Sequence, residues 1–284
     1  MTTTVPVQHR SSAEPGPQPA DVPWLRIAGA RGRLEIRQFF REKGQVILTF
    51  SLPVVLLVLF STIFSGSVGA SGLKASQVYA TGMLATGIMT SSFQTLALQV
   101  ATERRNGALK RLRATPMPPV AYFAGKVVMV LVSSLCQAAV LIALGAAFFG
   151  LRLSHDPGHW LTFLWIYALG ITACSLTGLA YSSLIKGDGG GPIVILPLMV
   201  LQFVSGVFVP FTELPARIQQ ISAFFPLKWL CQGMRSVFLP EGYRRLEPAG
   251  GWEHGRTALV LAAWVVAGLL LCLRTFSWKG RNDG

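Results

Sequence analysis

Residues 78–101 read VYATGMLATGIMTSSFQTLALQVA. The stretch contains no Asp, Glu, Lys, Arg or His, yet Thr, Ser and Gln are scattered along it. An α-helix needs about 20 predominantly apolar residues to cross the hydrocarbon core of a bilayer, and this window is long enough. Five further windows, 46–65, 127–150, 160–185, 192–211 and 257–273, are equally free of ionisable side chains. Lipid offers the backbone no hydrogen-bond partner, so each window is expected to be helical. Barrel strands would instead alternate in segments of roughly 10 residues. The whole chain is 51% hydrophobic and 13% charged, against roughly 25% charged for an average soluble domain. The expected fold is therefore an all-α polytopic membrane protein with six transmembrane helices.

The net charge of +13 is the kind of excess that marks nucleic-acid binders, but in a polytopic protein Lys and Arg concentrate in cytoplasmic loops. No nucleic-acid partner is expected. Seven cations precede residue 46, and six more lie between 102 and 126. The 66–77 connection carries only Lys74, the 151–159 connection Arg152, and Lys186 is balanced by Asp188. This alternation places both termini in the cytoplasm of a cell bounded by an inner or plasma membrane. Residues 212–256 resist it: parity puts them outside, although they carry six cations and four acids. Within them, ARIQQISAFFPLKWLCQGMRSVF (216–238) is interrupted by Pro226, which removes a backbone donor. Two short amphipathic re-entrant helices before the last span are expected, with Arg217, Lys228 and Arg235 snorkelling to headgroups. A surface loop holding two helices is the alternative.

The first 22 residues, rich in Pro and Ser, are expected to be a disordered cytoplasmic tail. Residues 23–276 form the transmembrane domain, and 277–284 a cytoplasmic C-terminal tail. Between Pro23 and Gly44, Trp24, Ile27, Ala28, Leu34, Ile36, Phe39 and Phe40 alternate with basic residues, the pattern of a helix lying in the membrane interface. Its charged residues Arg33, Glu35, Arg37, Arg41 and Lys43 fit either a plain membrane anchor or a face touching a cytoplasmic protein.

Within the windows, Thr86, Thr90 and Gln94 recur at i, i+4 and i+8 and share one face of an α-helix. Such groups glue helices together or line a substrate path. Gly170, Cys174 and Gly178 form a row of small residues suited to close helix packing. Ion-coupled carriers mark their path with buried ionisable groups, and the windows hold none. His9, His155, His159 and His254 lie outside them, and no metal site or nucleophile–base pair suggests an enzyme. The four cysteines are too scattered for a disulfide framework or metal ligation. A phosphate-binding loop requires Gly, four residues and then Gly-Lys-Ser/Thr. The nearest approach, Gly125-Lys126, is followed by Val127. The chain is expected to bind no cofactor, and any ATP–Mg chemistry must occur on a partner.

The 102–119 connection, TERRNGALKRLRATPMPP, holds five cations, one acid and three prolines. A short charged helix over Glu103–Arg113 is expected, ended by the prolines, with Tyr122 and Lys126 as interface anchors. ERRNGALKRLRATPMPPVAYFAGK resembles the loop after the second helix in permease subunits of ABC type-2 exporters. There Glu103, Arg104, Gly107, Leu109, Lys110, Arg111, Leu112, Arg113, Ala114, Thr115 and Pro116 match the family pattern, and Ala108 replaces its usual small polar residue. SGVFVPFTELPARIQQISAFFPLKW (205–229) resembles the family's segment after the fifth helix. The resemblance, over about residues 24–276, implies six helices, an amphipathic connecting helix before the first and re-entrant helices before the last. It also implies a drug-resistance-type exporter of two permease subunits, as homodimer or heterodimer, and two ATP-binding cassette subunits. Glu103, Arg104, Gly107, Lys110 and Arg111 are then candidates for coupling to the ATPase. A membrane scaffold that anchors a cytoplasmic complex also fits the basic loops.

Overall fold

The computed structural model describes residues 24–64, 66–68, 73–115, 119–151, 153–185 and 190–275. The expected terminal tails, prolines 116 and 118 and the Lys186/Asp188 pair lie outside the described residues. Among the described residues eleven α-helices dominate: α1 (Trp24–Arg41), α2 (Lys43–Ile63), α3 (Ala75–Met89), α4 (Thr95–Arg105), α5 (Ala108–Arg113), α6 (Pro119–Phe149), α7 (Pro157–Tyr181), α8 (Gly190–Val204), α9 (Ala216–Phe224), α10 (Pro226–Phe238) and α11 (His254–Thr275). Between α2 and α3, the two-residue strands β1 (Ser67–Val68) and β2 (Leu73–Lys74) pair antiparallel, a small departure from an all-α chain. Among the described residues, α2, α6, α7 with its terminal turn, and α11 are long and apolar enough to cross a membrane.

The helix α3 is the axis of the molecule. All its residues except Gln77 are buried, and it packs against α2, α6, α7 and α10. Small residues allow this crowding: a Cβ on Gly82 would meet the Val207 carbonyl oxygen at 3.0 Å. α1 lies along α6, and α11 along α7.

The second apolar window is longer than expected, because α3 and α4 are joined without a break through a π turn at Thr90–Gln94. A π turn bonds i to i+5 and inserts one residue into the register. Local hydroxyls take up carbonyls along this stretch: Ser91 donates to Gly87 O at 2.7 Å, Thr95 to Thr90 O at 3.1 Å, and Ser92 to Ile88 O. The bulge fits against the row of small residues on α7. A Cβ at Gly178 would lie 2.6 Å from the Phe93 carbonyl oxygen and 2.9 Å from its Cα. Cys174 is fully buried beside it, and Gly170 sits under Leu230 of α10. Gly178→Ala must therefore push backbone against backbone. It should destabilise the protein by about 1–3 kcal/mol, read as a lower unfolding midpoint in nanodiscs. An unchanged midpoint would show that the bulge is not held by this contact.

Two expectations shorten. α8 ends at Val204 rather than running to residue 211, because Gly206 adopts φ +80°, a left-handed conformation that breaks the helix. The charged helix expected over Glu103–Arg113 is split: α4 continues to Arg105, and Gly107 at φ +66° turns the chain into α5. Pro226 divides α9 from α10 as its chemistry requires, standing at the first position of α10. Every residue of α10 is buried.

Candidate functional site

The C-terminal end of the α3–α4 rod meets α1 and α6, and their stripes explain how. On α1, Ala28, Gly32, Glu35 and Phe39 are all buried, and they recur at the spacing of one helix face. Glu35 thus lies on the inward stripe and leaves the charged face on which it was expected. Arg33, Arg37, Arg41 and Lys43 are exposed. The partner of Glu35 is Lys126 of α6, whose Nζ is 2.8 Å from Glu35 Oε2 and 2.5 Å from Glu103 Oε1. Tyr122 donates its hydroxyl to Glu103 Oε2 at 2.7 Å, and Arg31 pairs with Glu35 at 2.5 Å. Lys126 is 1% exposed and Tyr122 is fully buried. Neither is an interface anchor: Lys126 is held inside by both carboxylates and Tyr122 by Glu103. Two acids and two bases balance, which is what a buried charge cluster needs.

The five residues expected to couple to an ATPase divide by direction. Glu103 faces Lys126. Arg104 donates to Ser182 O at 3.0 Å, where a cation suits the last carbonyls of α7 and its terminal turn. Gly107 is the corner. Leu109 is buried and anchors α5, which leaves Lys110 and Arg111 on its exposed side.

Between α1, the start of α2 and α4 lies a cleft of about 740 Å³, lined among others by Gln38, Gln45, Thr49, Gln94, Gln99 and Thr102, with the charged Glu35, Arg41, Glu42 and Glu103. Amides and hydroxyls outnumber charges in this lining. The π turn decides which part of the second window reaches it. An extra residue rotates everything that follows by about 100°, so Thr86, Thr90 and Gln94 do not form the single face expected of an α-helix. Gln94 lines the cleft, whereas Thr86 and Thr90 are 2% and 7% exposed inside the bundle. Thr90 donates to Gly87 O at 3.2 Å, and Thr86 Oγ1 is buried without a hydrogen bond. Gln99 and Thr102, passed over in the sequence, share the cleft with Gln94; their i, i+3 spacing after the bulge was the available signal.

A second charge cluster closes the opposite end of the rod. Arg235 of α10 is 1% exposed and donates through Nε to Glu247 Oε1 at 2.6 Å and through Nη1 to Gly206 O at 3.1 Å. Lys228, 3% exposed, lies 3.6 Å from Glu253 Oε2 and 3.5 Å from the Trp229 ring centroid. Arg256 pairs with Glu253 at 2.5 Å and Arg244 with Glu241 at 3.6 Å. The expected snorkelling of Lys228 and Arg235 is overturned: acids of the 239–256 segment hold them inside. The surplus of cations that resisted the topology is largely compensated within its own loop. Arg235 keeps its charge, since burial pulls the guanidinium down and Glu247 more than offsets it.

Among the described residues no group of His, Cys, Asp or Glu is placed to hold a metal ion, and the four cysteines are unpaired. No curated protein matches the chain significantly. Residues 31–239, from the middle of α1 through the π-bulged rod and α5 to the end of α10, match the pattern described as ABC-2 type transporter. The chain, a multi-pass membrane protein, therefore belongs to the ABC-2 type transporter family, whose members are the membrane components of ABC transporters.

Proposed function

We propose that the chain is the permease subunit of an ATP-driven exporter and works as a dimer of permeases. A separate ATP-binding cassette protein docks on α5 and hydrolyses ATP–Mg. Six crossings are α2, the α3–α4 rod, α6, α7, α8 and α11, with both termini cytoplasmic and α9–α10 re-entrant from the outer side. The rod supports this placement. From Gly82, beside the outer charge cluster, to Glu103 of the inner one is a rise of roughly 30 Å at 1.5 Å per residue, the thickness of the hydrocarbon core. The observation that carries the reading is the inner charge cluster. Lys126 ties α4, which continues into α5, to α1 and α6, so a push on α5 reaches three helices at once. Charge-assisted hydrogen bonds suit such a joint.

The cleft beside it supports an amphiphilic cargo with an uncharged, hydrogen-bonding head, entering where Gln38, Gln45, Gln94, Gln99 and Thr102 converge. Export of a drug, a lipid or a glycan precursor is compatible with that lining.

Lys110 and Arg111 are exposed on α5, and the docking reading makes them contacts. Replacing both with Glu should lower ATP-dependent efflux from inverted vesicles at least about tenfold, because like charges facing an interface oppose association. The unfolding midpoint of the permease alone should not move, surface changes being small in their own right. Full efflux by the K110E/R111E protein, or efflux from vesicles without any ATPase subunit, would refute the reading.

A further inference from the structure

Two helices of the described chain carry an internal proline: Pro53 in α2 and Pro197 in α8. Proline lacks an N–H, so it leaves the carbonyl four residues earlier without its helical donor, and its ring pushes that carbonyl aside. The orphans are Thr49 O and Ile193 O. Both are claimed by side chains from a neighbouring helix. Gln137 of α6 donates Nε2 to Thr49 O at 2.8 Å. Tyr181, the last residue of α7, donates its hydroxyl to Ile193 O at 3.0 Å. In hydrocarbon an unmet carbonyl has no water to turn to, so each of these bonds replaces the one that proline deletes.

Gln137 is held for this task. It is 1% exposed, and a Cβ on Gly87 of α3 would lie 3.3 Å from its Cδ. Its Oε1 is buried without a hydrogen bond, so the amide engages the carbonyl with its nitrogen alone. Thr49 itself lines the inner cleft. A bend at Pro53 therefore moves one wall of that cleft, and the Gln137 bond decides where the wall stands.

We infer that Gln137 and Tyr181 are positioning residues of the transport cycle. Each latches a proline-broken helix in its present bend through the orphaned carbonyl, and each releases it when the helix changes its bend. The part concerning transport rests on the exporter reading; the latches themselves do not.

The test is a pair of mutant cycles in nanodiscs. Gln137→Met should lower the unfolding midpoint by about 4 °C and speed deuterium exchange in residues 46–57. In a Pro53→Ala background the helix regains its own N–H donor, so the same substitution should have little effect on either readout. Tyr181→Phe in wild-type and Pro197→Ala backgrounds should behave alike, with exchange followed over 190–201. Gly87→Ala, which crowds Gln137 without touching α2, should reproduce the exchange effect of Q137M. Should Q137M alone fail to fold while P53A/Q137M folds, the latch is supported; equal penalties for both substitutions with and without their prolines would overturn it. P53A should also lower efflux turnover while raising the midpoint. A purely structural proline would raise the midpoint and leave turnover unchanged, and that result would remove the positioning role. Absence of ATP-dependent efflux in wild type would sink the exporter reading, while midpoints and exchange would still decide the latches.

Discussion

Lys126→Met should be the most damaging single substitution at the end of the molecule that carries α5. It leaves Glu35, 3% exposed, and Glu103, 20% exposed, without the cation they share. Removing one partner of a buried ion pair destabilises by about 3–5 kcal/mol, because the remaining charge is buried and uncompensated. Arg31 and Tyr122 retain one contact each with the two acids, so the lower part of that range is expected. The measurement is denaturant or thermal unfolding in nanodiscs, followed by efflux on whatever fraction folds. The triple variant E35Q/E103Q/K126M separates stability from function. It removes both negative charges together with the cation, a replacement that is often neutral, and should recover most of the midpoint. If the cluster is the joint between α5 and the spans, the triple variant should still export poorly, with ATP hydrolysis by the partner poorly matched to cargo movement. Normal export by a stable triple variant would reduce the cluster to a folding device.

The parts of this architecture that composition alone determines were legible. Windows without ionisable residues became α2, α6, α7 and α11, because crossing hydrocarbon is a constraint on local composition. The row Gly170, Cys174, Gly178 announced a close approach, and the structure shows what approaches: the Phe93 backbone and Leu230. Glu35 was misplaced although its spacing from Ala28, Gly32 and Phe39 put it on the inward stripe; its charge outweighed its position. The π turn was not legible, since Thr90–Gln94 satisfies an α-helical pattern as well as a π one. Neither were the partners of the charges. Lys126 and Glu35 are 91 residues apart in sequence, and only the packing of α1 on α6 brings them together. The prolines mark Thr49 and Ile193 as orphaned carbonyls in the sequence, but not the donor 88 residues from Thr49. The candidate cleft shares that fate: Gln94 was found, and its neighbours on α1 and α2 belong to it only through the tertiary fold.

Arg235→Met should be the corresponding lesion at the opposite end. Glu247 would keep a 3.3 Å hydrogen bond from Gln232 but lose its 2.6 Å guanidinium contact, and Gly206 O would lose its donor. Both carboxylate and carbonyl are then buried and underbonded, and a loss of about 3–5 kcal/mol is expected. Lys228 is a poor substitute: burial pushes its ammonium down against the pull of Glu253 and Glu247, and it lies on Trp229 rather than beside Glu247. Arg235→Lys should recover only part of the loss, since an ammonium lacks the planar fork that serves Glu247 and Gly206 O together. The double variant R235M/E247Q should recover more than R235K, because it removes the stranded charge instead of shortening its partner. Limited proteolysis gives the local readout. With the pair broken, sites at Arg244 and Arg245 should be cut faster, as the 239–256 segment is tied to α10 through this bond. The same segment also packs Leu239 and Tyr243 against Leu73 and Val78. An unchanged cutting rate in R235M would mean that these apolar contacts, with the remaining bonds of Gln232 to Glu247 and Lys228 to Glu253, suffice to hold the segment, and that the buried guanidinium serves instead to fix the left-handed turn at Gly206 where α8 ends.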